Sequence, residues 1–155
     1  MIIQRIEVRG LVPPSTNFLY RPSIGRKGRK RFPYLRLDEY ARQFKESFKI
    51  KAISQINIPK DVKVNGIVGS YVYGLSSESF WRKDVSNITK AVEDSVFELL
   101  DFDDSQVVLN AERKVISEIP FVLIYLGFIT NNDYTNDIDA LSFLLEISQK
   151  ELCSG

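Results

Sequence analysis

Apolar positions recur along the chain with two periods, and the order of the segments sets the expected architecture. Between Met1 and Val12, Ile3, Ile6 and Val8 alternate loosely with polar residues, which predicts an opening strand ended by Pro13-Pro14-Ser15-Thr16-Asn17. From Leu37 to Ile56, Tyr40, Phe44, Phe48 and Ile53 recur near i, i+4 spacing with basic residues on the other faces, predicting a helix that stops before Pro59. Val64, Ile67, Val68, Tyr71 and Tyr73 alternate imperfectly and predict a strand from Val62 to Tyr73. With Ser86 as N-cap, Ile88, Ala91, Val92, Ser95, Val96 and Leu99 fall on one face of a helix, while Asn87, Lys90, Asp94 and Glu98 form a narrow polar line away from it. Gln106 to Val115 and Phe121 to Ile129 read as strands, joined as a hairpin through Glu118-Ile119-Pro120. Ile138, Leu141, Leu144, Leu145 and Leu152 make Asp137 to Leu152 an amphipathic C-terminal helix that docks on the domain or on another copy.

Strands interleaved with helices predict an α+β (mixed α/β) fold, a single domain with a mixed sheet covered by helices. The 155 residues, 44% hydrophobic, suffice for one core and not comfortably for two. No apolar run approaches the ~20 residues that span a bilayer, and the N-terminus lacks a signal-peptide layout, so no membrane is involved and a cytoplasmic protein is expected.

Charge changes the picture. The net charge is only +1, yet eleven Lys and Arg stand against three acids between Arg21 and Lys51, and five acids against one Lys from Asn132 onward. Local asymmetry of this kind steers a protein onto phosphates more than the net sum does. Arg21, Arg26, Lys27, Arg29, Lys30 and Arg31, with Gly25 and Gly28 between them, read as a flexible basic loop; the bland alternative is a solvated disordered segment. Phe80, Trp81, Tyr71 and Tyr73 are candidates for stacking on unpaired bases, against the commoner job of core packing.

The chemistry is bounded by an absence. With no His in the chain, a His general base, a His-metal nuclease and Ser-His-Asp or Cys-His nucleophile arrangements are excluded, and the single Cys153 offers neither an internal disulfide nor a zinc cluster. What remains is Asp84, Lys90, Asp94, Asp103 and Asp104, bracketing one helix. Ser86 to Leu100 spans about 21 Å at roughly 1.5 Å per residue, so the two ends meet only if the turn folds back or the next strand lies beside the helix start. Each residue also has an ordinary reading: Lys90 and Asp94 as a surface i, i+4 ion pair, Asp84 as a helix-start acid, Asp103-Asp104 as a turn.

The run Arg82-Lys83-Asp84-Val85-Ser86-Asn87-Ile88-Thr89-Lys90-Ala91-Val92-Glu93-Asp94, followed by Phe102-Asp103-Asp104-Ser105-Gln106-Val107-Val108, closely resembles the central motif of RusA-type Holliday-junction resolvases, D-x-D-N-x-x-K-A-x-x-D and then D-D-x-Q-V. Pro13-Pro14-Ser15-Thr16-Asn17 and Tyr20-Arg21 resemble the opening of the same family. The resemblance covers most of residues 1 to 115, placing a RusA-like endonuclease domain at 1–131 and a C-terminal helical extension at 132–155. It implies that Asp84 and Asp104 bind Mg²⁺ (or Mn²⁺) and that Lys90 is the catalytic lysine, while Ser86 stands where the family has a second aspartate. Mg²⁺ commonly takes only one or two carboxylates, and Asp94 and Asp103 are the candidates to compensate for Ser86.

The resemblance further implies hydrolysis of phosphodiesters in four-way DNA junctions by a homodimer, with Asn17, Arg21 and the basic loop from Arg26 to Arg31 on the DNA. Three competing expectations stand beside it: a branched-DNA-binding protein that cleaves weakly or not at all, a flap or fork nuclease, and an adaptor whose C-terminal helix recruits a partner.

Overall fold

The computed structural model describes residues 1–15, 20–59, 61–130 and 136–154. Its main sheet has the order β1-β6-β4-β5, formed by β1 (Ile2–Arg9), β4 (Val64–Leu75), β5 (Val107–Ile116) and β6 (Phe121–Thr130). β4 runs parallel to β5 and antiparallel to β6, which pairs in turn with β1, so the sheet is mixed and the fold is α+β. A parallel pair needs a crossover, and α2 (Ser77–Arg82) and α3 (Val85–Leu100) supply it between β4 and β5.

Two apolar faces make three layers. On one face, Ile67, Tyr71 and Tyr73 of β4 and Ile124, Leu126 and Phe128 of β6 pack under α1 (Glu39–Ala52) and α3, through Phe44, Phe48, Ile88, Val92 and Val96. On the other, Val68, Val72 and Leu123 pack under α4 (Asp137–Ser154) through Ala140 and Leu144. The stripe from Ile88 to Val96 is buried as its spacing requires, with Leu99 at its margin. Ile138 and Leu145, expected on the packing side of α4, are exposed, because Ala140, Leu144 and Ser148 face the sheet instead. Arg5 of β1 donates to Glu151 near the end of α4 at 3.0 Å, pinning that helix to the domain. No helix among the described residues is long and apolar enough to cross a membrane.

Three expectations are corrected. The basic segment from Arg21 to Arg31 is no loop: β2 (Tyr20–Lys27) and β3 (Lys30–Leu37) form an antiparallel hairpin that pairs with no strand of the main sheet. Its turn is Gly28-Arg29, with Gly28 at φ 63°, a position that needs glycine and turns the chain in two residues. β5 and β6 are not a hairpin, since β4 lies between them. The Ser117 N–H donates to the Leu75 carbonyl at 2.8 Å, so the connection passes over the end of β4 before β6 begins. Finally, α3 is capped by Asp84 and not by Ser86: the Asp84 carboxylate accepts from the Ser86 N–H at 3.1 Å, two residues earlier than expected.

Candidate active site

The surroundings of Asp84 are held by four hydrogen bonds between distant parts of the chain. Lys114 of β5 donates from its ammonium to the Phe80 and Lys83 carbonyls, 2.7 Å each, fixing the link between α2 and α3. The Lys83 ammonium donates to the Pro13 carbonyl at 2.6 Å, and the Tyr40 hydroxyl donates to the Val12 carbonyl at 2.5 Å. Half-buried and donating to a neutral carbonyl, Lys83 has its pKa pushed down by desolvation. These bonds close an open cleft of about 600 Å³ lined by Pro14, Ser15, Arg21, Tyr40, Asp84 and Asn87 among others. The two sequence motifs, 70 residues apart at the Pro13–Lys83 bond, thus share one surface.

The second end of the helix does fold back. Asp101 takes the left-handed conformation at φ 59°, which a short polar side chain tolerates, and the Phe102 ring seats on Phe128 at 5.2 Å. The chain then returns along α3, and the Lys90 ammonium meets Asp104 at 2.5 Å and Asp94 at 3.1 Å. β5 continues the return: the Asn110 amide donates to Glu93 at 3.1 Å and the Ser86 hydroxyl donates to Glu112 at 3.1 Å. Asp84 therefore bonds the Ser86 N–H at the start of α3, where the Ser86 hydroxyl reaches Glu112, and Asp104 lies beside Lys90 and Asp94 farther along the same helix. Asp103 is exposed and occupied with Ser105, whose hydroxyl first, and whose N–H at 2.8 Å next, lower its pKa.

The hydrogen bond that Lys90 donates to Asp104, with a smaller contribution from Asp94, holds its ammonium above the ordinary lysine range despite some desolvation. Lys90 is consequently a fixed cation and a poor proton acceptor. Glu93 shifts the other way: burial raises its pKa, only partly offset by Asn110 and by the nearby Tyr71. Tyr71 is fully buried, and its hydroxyl has no well-aligned hydrogen bond among the described residues even though the Glu93 carboxylate lies close by. A raised folded-state pKa leaves stability intact below the ordinary carboxylate range and removes it as pH rises through the folded value. Glu93→Gln keeps the acceptor for Asn110 and loses the charge, so its Tm in thermal melts should exceed that of the parent at about pH 8 and match it at about pH 4. A lower Tm at the higher pH would contradict this.

Among the described residues, no three carboxylate or thiol groups stand together as a metal-holding cluster. The donor chemistry still suits a hard divalent cation, since Asp84, Glu112, Asp94 and Asp104 are carboxylates and Ser86 is a hydroxyl. Lys90 already places one positive charge against two of those carboxylates, Asp94 and Asp104. No family model matches the chain, and no curated protein matches it.

The expected stacking residues divide. Tyr71 and Tyr73 belong to the core, with the Tyr73 hydroxyl donating to Thr89 at 3.0 Å, whereas Trp81 is exposed and meets Phe80 edge-on at 5.0 Å. Of the expected DNA contacts, Arg21 is tied to the buried N-cap Asp38 of α1. Arg26, Lys27, Arg29, Lys30 and Arg31 extend along the hairpin to its tip, and Asn17 lies outside the described residues. Sequence reasoning missed Glu93, Asn110, Glu112 and Lys114. The alternation Asn110-x-Glu112-x-Lys114 within an otherwise ordinary strand was the available signal, since it marks a polar row facing α3.

Proposed function

We propose that this chain is a Mg²⁺-dependent, structure-specific DNA endonuclease, with Mn²⁺ able to replace Mg²⁺, that resolves four-way junctions as a cytoplasmic homodimer. The observation that carries the reading is the bond from Lys83 to the Pro13 carbonyl, which joins the proline segment, Arg21 and the Asp84 cap around one cleft. Residues from both of the separated motifs have a reason to share a surface if they handle one substrate.

Asp84 and Asp104 would hold the ion, with Glu112 as a further carboxylate bonded to Ser86. A bound divalent cation supplies Lewis acidity, acidifying water and offsetting charge on the scissile phosphate. Lys90, kept protonated by Asp104 and Asp94, stabilises charge on the phosphate or the leaving oxygen and does not abstract a proton. Because Lys90 stands on a helix packed against the sheet, its position is set before substrate arrives. The basic hairpin supplies phosphate contacts, and a twofold dimer presents two such sites to a substrate with pseudo-twofold symmetry.

The test compares cleavage of a synthetic four-way junction, a flap, a fork and a linear duplex in Mg²⁺ and in EDTA. Junction cleavage that needs the metal and outpaces the other three substrates is expected. Equal rates on all four would reject junction selectivity, and junction binding without any cutting would leave a branched-DNA-binding protein.

A further inference from the structure

The β2–β3 hairpin carries a feature that phosphate contact does not explain. Its register pairs Lys27 with Lys30, Gly25 with Phe32, Ser23 with Tyr34 and Arg21 with Arg36, which puts these eight positions on one face. At the centre of that face stand two aromatic rings, Phe32 and Tyr34, with centroids 6.1 Å apart. They are 45% and 44% exposed and belong to none of the buried clusters. Opposite them are the two smallest side chains of β2. The Phe32 ring lies directly over Gly25, where an added Cβ would come within 2.6 Å of it. One side of that ring is thus floored by backbone and the other is open. Lys27 and Lys30 flank the rings at the tip, and neither forms an ion pair among the described residues.

Two half-exposed rings on a small-residue floor, bordered by unpaired cations, suit a planar, apolar ligand attached to anions. We propose that this face binds unpaired nucleobases, with Phe32 and Tyr34 stacking on successive bases and Lys27 and Lys30 holding the phosphates between them. Stacking of this kind does not depend on base identity, because every base has a π-face. A closed duplex hides those faces, so the platform selects DNA with unpaired bases, such as the opened centre of a junction. The inference rests on the nucleic-acid part of the reading above and is independent of cleavage.

A purely structural role for the rings, bracing a hairpin that would otherwise be marginal, is separated by the choice of variants. Phe32→Leu combined with Tyr34→Leu keeps apolar contact across the strands and removes the π-faces, while Phe32→Trp keeps both. Binding is measured in EDTA by fluorescence anisotropy, with a labelled oligothymidylate of roughly 20 nucleotides and a duplex of equal length. The parent should bind the single strand more tightly than the duplex. The double leucine variant should lose on the order of tenfold or more for the single strand, stay within about twofold for the duplex, and the tryptophan variant should match the parent. Parent-like binding by the leucine variant, or equal losses on both DNAs, would overturn the proposal. So would ring-dependent binding to phosphatidylserine vesicles with no affinity for oligothymidylate. Failure of junction cleavage with single-strand binding intact would count against the nuclease alone.

Discussion

Replacing Asp84 by Asn is expected to lower Mg²⁺-dependent junction cleavage by on the order of 100-fold or more while folding and junction binding persist. Asp84 has two separable jobs. Its Oδ1 accepts the Ser86 N–H at 3.1 Å and caps α3, and Asn caps a helix as well as Asp does. Its charge serves no ion pair among the described residues and faces the open cleft beside Ser15 and Arg21. The substitution therefore removes the charge and leaves the cap. Single-turnover cleavage, thermal melting and binding in Ca²⁺ separate the three quantities, and unchanged cleavage would refute the assignment of Asp84.

Phe48→Ala should cost about 3–5 kcal/mol of stability, measured as a shift of the urea midpoint at constant slope. Phe48 is fully buried between α1 and the sheet, with the Phe44 ring 5.7 Å away. Truncation removes its transfer free energy and leaves a cavity that α1 cannot close without losing its seat beside α3. The exposed neighbour Ile50 provides the control, since Ile50→Ala should change stability by less than about 0.5 kcal/mol. Similar losses at both positions would contradict the packing described here.

The contrast between those two positions also explains what the sequence made legible. Phe44, Phe48, Ile88, Val92 and Val96 were found because a helix seated on a sheet buries a stripe at a fixed period. The basic hairpin was not, because its apolar residues Ile24, Phe32 and Tyr34 bury nothing in the core and its charges read as an extended loop. Its strands are held by cross-strand bonds and one glycine turn, which leave little trace in hydrophobic periodicity. The order of β5 and β6 was misread for another reason: adjacency in sequence favours a hairpin, while here β4 occupies the place between them.

At the site, the same limits apply. Lys90 and Asp94 were visible as charges four apart on one helix and Asp84 and Asp104 as acids bracketing it, while the return of Asp104 to Lys90 required Asp101 to adopt a left-handed cap that no hydrophobic pattern announces. Glu112 escaped because its partner Ser86 is 26 residues away in sequence and meets it only through the parallel crossover. Asp103, the neighbour of Asp104, is committed to its own turn, which its place in the sequence did not announce.

The central claim is that Asp84 and Asp104 act together on one divalent cation next to the Lys90 ammonium. A crystal soaked in Mn²⁺ tests it most directly, through the anomalous signal of the ion. The expected result is a single strong peak touched by the carboxylates of both residues, weakened in Asp84→Asn and in Asp104→Asn. A peak elsewhere, or the two carboxylates on different sides of the protein with no ion between them, would contradict the hydrolytic account.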